Sequence, residues 1–318
     1  MLQQELDVSF REGWVLSRIQ PNLDSENGGL QPTQRSDRVT SCEINVTSTF
    51  RLDESLALFN YLNKTMSVES AARAVTAGCP DIFPENLDNP EGSSPDGARR
   101  IREVWALLAA VLLRFEDDCD MVVDLLVAIQ TLPSINSSPW WVDAENRRSL
   151  CQLPYFDNVW QNCYESLRCN CHGGKDGGFS YDEKYYKRAG TVEAKMYLRG
   201  IPGITEFWAY KTINLVCAQR EDLQFVIHEI HGWLQTAGPK LAQTLDSSQI
   251  KSFERAVRGR RDKIYEISAT MFEHWQHWKK SFLEVSFNED HLSSGGRELA
   301  RECHDIMKAQ NIRLPLFL

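Results

Sequence analysis

Three carboxylates, Asp117, Asp120 and Asp124, stand at i, i+3 and i+7 within ARRIREVWALLAAVLLRFEDDCDMVVDLLVAIQT, residues 98–131. On a continuous helix this spacing stacks them along one line, about 5 Å per turn. Oxygen ligands so placed could share a hard divalent cation such as Mg²⁺, which would draw off the charge of a leaving group. The plainer reading is a helix face turned to water. Four histidines form a second group: His228 and His231 are three apart, as are His274 and His277, with Glu229 and Glu273 beside the first of each pair. On two facing helices, four imidazoles could hold Zn²⁺ or iron. The HEIH run, however, is one residue short of the H-E-x-x-H zinc motif. These histidines also neighbour Trp233, Trp275 and Trp278, as ordinary boundary residues do. A third group, Cys163, Cys169, Cys171 and His172, lacks the paired C-x2-C arms of a zinc knuckle. It reads more simply as a cysteine-rich loop sensitive to oxidation.

Other chemistries are excluded. No phosphate-binding glycine loop, G-x-S-x-G elbow or dinucleotide fingerprint occurs, and GGKDGG lacks the Ser/Thr and helix that a phosphate loop needs. With 35 basic and 44 acidic side chains the net charge is −9, which disfavours nucleic acid and anionic membranes as general partners. The basic run Arg255–Lys263 is a local exception. No apolar run approaches the roughly 20 residues of a membrane span, and the opening MLQQELDVSFREGW is polar and acidic where a signal peptide would be basic and then apolar. Nine cysteines, an odd and scattered set, fit reduced thiols in a cytoplasmic protein.

The element that must position the carboxylates is residues 98–131 read as one long helix. Val104, Leu108, Val111, Leu112, Cys119, Val122, Leu126 and Ile129 share its core face with Phe115 at the centre. The opposite stripe runs Ala106, Ala109, Ala110 and Leu113 and continues into the three aspartates. Before it, residues 1–50 read as a flexible arm, followed by a helical hairpin whose second helix Ser67 caps and Gly78 stops. A proline-rich loop precedes the long helix, and Trp140-Trp141 lies in an irregular stretch after it. Helices follow from Pro154, over about 181–198, from Ile204, from Asp222, over about Ser247–Phe287, and over about Gly296–Gln310. No strand alternation is sustained. The expectation is an all-α, single-domain orthogonal bundle over residues 51–318, with Trp105, Trp208, Trp233, Trp275 and Trp278 lining an aromatic interior.

Three blocks of the second half, FWAYKTINLVCA, GWLQTAGPKLAQ and FEHWQHWKKSFLEV, carry Trp208-Ala209, Trp233 with Ala237-Gly238, and Trp275 with Trp278. Together they resemble a fungal helical family of unknown function, typified by the oxopyrrolidines biosynthesis cluster protein G (the OpdG family). The resemblance implies an intracellular fungal protein encoded beside genes for polyketide or peptide-polyketide metabolites, with a small-molecule pathway intermediate as its partner. It implies no reaction and no catalytic residues. Separately, FEDDCD is similar to the aspartate-rich motif of class I terpene cyclases, where Mg²⁺ bridges a diphosphate. That similarity implies a Mg²⁺-dependent lyase acting on a prenyl diphosphate. A second metal motif would fall on Asp290, Ser294 and Glu298, where Gly295-Gly296 interrupts the helix the motif requires. A non-catalytic interaction protein is the third expectation.

Overall fold

The computed structural model describes residues 52–79, 95–132, 152–173, 183–218, 222–245, 250–257, 260–310 and 312. The N-terminal arm, the proline-rich loop after Cys79 and Trp140-Trp141 lie outside them. The described chain is a helical bundle with one short hairpin, and it divides into two compact units. That division is finer than the single domain over 51–318 expected from the sequence.

The first unit comprises α1 (Leu52–Leu62), α2 (Val68–Thr76), α3 (Pro95–Arg114) as far as Leu112, α4 (Cys119–Gln130) and α5 (Phe156–Gly173). Ser67 caps α2 as expected, its hydroxyl accepting from the Ser70 amide at 3.3 Å. Such a cap is worth about 1 kcal/mol. Tyr61 of α1 donates to the Met121 carbonyl of α4 at 2.8 Å. Along α3, Leu107, Leu108, Ala109, Val111 and Leu112 are all buried, which is why this segment lacks a polar face in its second half. Trp105 donates to the Pro154 carbonyl at 2.8 Å and meets Phe156 edge-on. This contact holds the start of α5, where Leu153 and Tyr155 both take left-handed backbone angles.

The single helix expected over 98–131 is in fact α3 and α4, separated at Phe115–Asp118. Local charge explains the break. Arg114 sits in the last turn of α3, while Asp118 and Asp120 occupy the N-cap and first turn of α4. Cations favour a helix C-terminus and carboxylates an N-terminus, so FEDDCD is better accommodated as an end and a start than as a middle. Residues Leu113–Glu116 group with the second unit. There Arg188 donates to the carbonyls of Leu113 and Arg114, at 2.9 and 2.8 Å, satisfying two acceptors that a continuous helix would have used itself.

The second unit comprises α6 (Glu183–Leu198), α7 (Glu206–Asn214) with a 3-10 turn (Leu215–Ala218), α8 (Leu223–Gln243), the strands β1 (Ile250–Val257) and β2 (Arg260–Thr270), α9 (Met271–Val285) and α10 (Ser294–Ala309). The long helix expected over 247–287 is therefore corrected to a hairpin and a shorter helix. Ile250, Phe253 and Val257 imitate a helical repeat, but β1 pairs antiparallel with β2 from Ile250–Thr270 to Val257–Arg260. Thr270 ends the hairpin in extended geometry and opens α9 with a capping box. Its hydroxyl accepts from the Glu273 amide, while Glu273 accepts from the Thr270 amide. A residue so placed cannot lie inside a helix.

The unit is organised around α6 and α8, which run side by side in the same direction. Tyr186 stacks on Phe225 at 5.8 Å, and Glu193 meets Trp233 further along. Between these contacts the backbones nearly touch. A Cβ on Gly190 would lie 2.1 Å from the Glu229 carbonyl oxygen, and one on Gly232 would lie 2.7 Å from that of Lys187. Glycine is needed at both places for this approach, at a conformational cost of about 1 kcal/mol each within a helix.

Candidate functional site

The aspartates named from the sequence are not presented along one helix. Asp117 is exposed in the turn between α3 and α4, Asp120 is exposed in the first turn of α4, and Asp124 is half-buried one turn further on. The neighbouring Asp118, which helical projection sets on the flank of the core face, is the buried one. Phe115, placed at the centre of that face by projection, lies half-buried in the break. Asp290 and Glu298 are exposed, and Gly295-Gly296 falls in the first turn of α10.

The histidines have separate partners. His228 lies 3.7 Å from Glu183, His231 lies 2.7 Å from Glu302, and His274 bonds the Lys251 carbonyl at 2.8 Å. His277 is exposed. Among the described residues, no three His, Cys, Asp or Glu side chains converge in a way that could hold a metal ion. Cys163 is buried in α5 and burial pushes its thiol up to about 11, which makes it a packing residue and a poor nucleophile. The side chains of Cys169, Cys171 and His172 lie outside the described residues.

Of the five tryptophans expected to line the interior, Trp105, Trp233, Trp275 and Trp278 are almost wholly buried, while Trp208 is half-buried. In the second unit, Trp278 stands at the centre of one polar-aromatic cluster. Trp278 donates to Asn214 Oδ1 at 2.8 Å and is stacked against both Tyr210 and His274, at 5.7 and 5.6 Å. Tyr210 donates to the Leu241 carbonyl at 3.1 Å and lies 2.9 Å from the Thr244 hydroxyl. Burial raises the Tyr210 phenol above its ordinary range, opposed by the Thr244 bond, so at neutral pH the hydroxyl is a donor and not a base. Burial also lowers His274, against the opposing pull of its Lys251 carbonyl bond. Lys251 in turn covers the Phe207 ring at 4.4 Å.

A second cluster lies at the α6/α8 crossing. Trp233 donates to Glu193 Oε2 at 3.0 Å, both residues being 0% exposed, with Tyr197 tilted against the indole at 6.0 Å. Glu229 is buried on the same stretch of α8. Sequence reasoning missed Glu193, Asn214, Tyr210 and Thr244. For Glu193 a signal existed: Ala189, Val192 and Met196 mark the inward face of α6, and Glu193 stands among them, a lone charge at a core position.

The first unit holds a smaller buried cluster. Glu54 pairs with Arg100, which also lies 3.5 Å from Glu103. Burial, with Glu54 adding to it and Arg100 opposing, raises the Cys79 thiol to about 12.

Chemically, the two clusters of the second unit together present hydrogen-bonded indoles, a protonated phenol and, in Glu193, a carboxylate met by a donor within the fold. They are suited to holding helices in a fixed register. No helix among the described residues is long and apolar enough to cross a membrane. Compared with protein-family models, with curated proteins and with solved structures, the chain matches none.

Proposed function

We propose that this chain is an intracellular helical protein of a fungal secondary-metabolite pathway of the polyketide or peptide-polyketide type, serving as an accessory protein for a small-molecule intermediate of that pathway. The observation that carries the reading is the placement of the three tryptophan blocks behind the family resemblance. Trp208-Ala209 on α7, Trp233 with Ala237-Gly238 on α8, and Trp275 with Trp278 on α9 belong to one compact unit. Within it, Trp233 and Trp278 each carry a buried hydrogen bond to another helix. The blocks are also joined to one another, the third to the first through Trp278 and Asn214 and the first to the second through Tyr210 and the Leu241 carbonyl, which is the cooperation a shared architecture calls for. The net charge of −9 argues against nucleic acid as the partner.

The reading as a Mg²⁺-dependent lyase is not favoured, because Asp117 and Asp120 stand exposed on either side of the Asp118 cap. Deleting the coding sequence in the producing host and comparing metabolite extracts tests the proposal. Loss or truncation of one polyketide-type product is expected, and an unchanged extract would sink it. Turnover of a prenyl diphosphate by the purified protein with Mg²⁺ would replace it with the lyase reading.

A further inference from the structure

We propose that the His231–Glu302 contact is an acid-released latch that makes the docking of α10 onto α8 depend on pH. The two helices are parallel neighbours joined at three levels. At the first, the Gln224 side chain donates to Ser293 Oγ at 3.0 Å and accepts from the Ser293 amide at 2.7 Å. At the last, Gly238 lies so close to Ile306 that an added Cβ would sit 3.3 Å from its methyl group. Between them, His231 Nε2 lies 2.7 Å from Glu302 Oε2, beside the buried Cys303 of α10.

The two partners differ in their access to water. The His231 side chain is 7% exposed and that of Glu302 is 52% exposed. His231 Nδ1 is fully buried and, among the described residues, has no hydrogen-bond partner. In the neutral ring with the proton on Nε2, Nδ1 is only an unshared pair, and leaving it unbonded costs little. Adding a second proton turns Nδ1 into a buried donor with no acceptor and places a charge in a buried position. The Glu302 carboxylate favours that charge and Lys187 of α6 opposes it. Because Glu302 is half in water, its attraction is screened. Burial is the largest influence, and His231 titrates below its ordinary value. The imidazolium can keep its bond to Glu302 and regain water only by following the carboxylate outwards, which separates α10 from α8.

The sign follows from linkage. The unfolded chain binds the His231 proton more readily than the folded one, so docking is at full strength above the unfolded value of about 6.5. It weakens as pH falls through the lower folded value.

Hydrogen-deuterium exchange of the whole chain at pH 7.5 and 5.5, corrected for the intrinsic pH dependence of exchange, tests this. Wild type should lose protection across α10 at the lower pH while α4 keeps its own. His231→Gln retains a donor for Glu302 but cannot titrate, and should hold α10 equally well at both values. Unchanged α10 protection in wild type, or an equal loss in His231→Gln, overturns the proposal. Should the variant not fold, the imidazole titration followed by NMR in wild type decides. A His231 that titrates at or above the ordinary histidine value rejects the latch, and one below it that coincides with α10 release sustains it.

Discussion

The turn between α3 and α4 and the crossing of α6 with α8 treat carboxylates in opposite ways. At the turn, Glu116, Asp117 and Asp118 follow one another, and Asp120 comes next but one. All but Asp118 are exposed. At the crossing, Glu193 and Glu229 are each separated from other acids along their helices, and both are buried. Adjacent acids repel one another and are best stabilised by water and by a helix N-terminus. A single acid on an inward face is accommodated only where a donor meets it, as Trp233 meets Glu193. At these two places density of charge goes with exposure, Asp118 excepted, and isolation of charge goes with burial.

Substitutions can break this contrast. The largest effect is expected from Gly190→Ala. Its Cβ would collide with the Glu229 carbonyl and force α6 and α8 apart. This should cost about 3 kcal/mol or more by urea denaturation, despite the roughly 1 kcal/mol that alanine adds to helix propensity. Glu193→Ala should come next, at about 2–4 kcal/mol, because it leaves a cavity and an indole N–H without its acceptor. Glu193→Gln keeps an acceptor and should recover much of that loss. Equal losses in the two variants would show that the hydrogen bond to Trp233 is unimportant. The smallest effect is expected from Asp117→Asn with Asp120→Asn, within about 0.5 kcal/mol of wild type. The double variant should also restore full metabolite output in the deletion host, and a loss there would return these carboxylates to the chemistry.

The helical character of the chain was legible because its apolar spacing is strong: every core-face position from Val104 to Ile129, Phe115 apart, is buried. The Ser67 cap was legible for the same local reason. Two interruptions were missed although their signals were present. Arg114 before FEDDCD is a C-terminus followed by an N-terminus, and Thr270-x-x-Glu273 is a capping box inside what read as a continuous helix. In both, apolar periodicity on either side outweighed a few polar residues at the junction. The β1–β2 hairpin was concealed because Ile250, Phe253 and Val257 satisfy a helical repeat as well as they occupy a strand. Spacing within one segment cannot disclose which distant backbone it will pair with. The polar partners were not legible at all. Asn214 and Trp278 are separated by 64 positions, and Trp105 and Pro154 by 49. Only folding brings them together.

The α6/α8 crossing also has a consequence for recognising distant kin. It leaves a reciprocal imprint on the chain: Gly190-x-x-Glu193 on one helix and Glu229-x-x-Gly232-Trp233 on the other. Each glycine admits the backbone of the opposite helix, and one glutamate receives the tryptophan beside the other glycine. Each half is too short and too common to identify anything alone. The two halves constrain each other, however, since a side chain at either glycine would hold the helices apart and draw Glu193 away from Trp233. Chains whose remaining residues have drifted beyond overall comparison can still be tested for this paired signature.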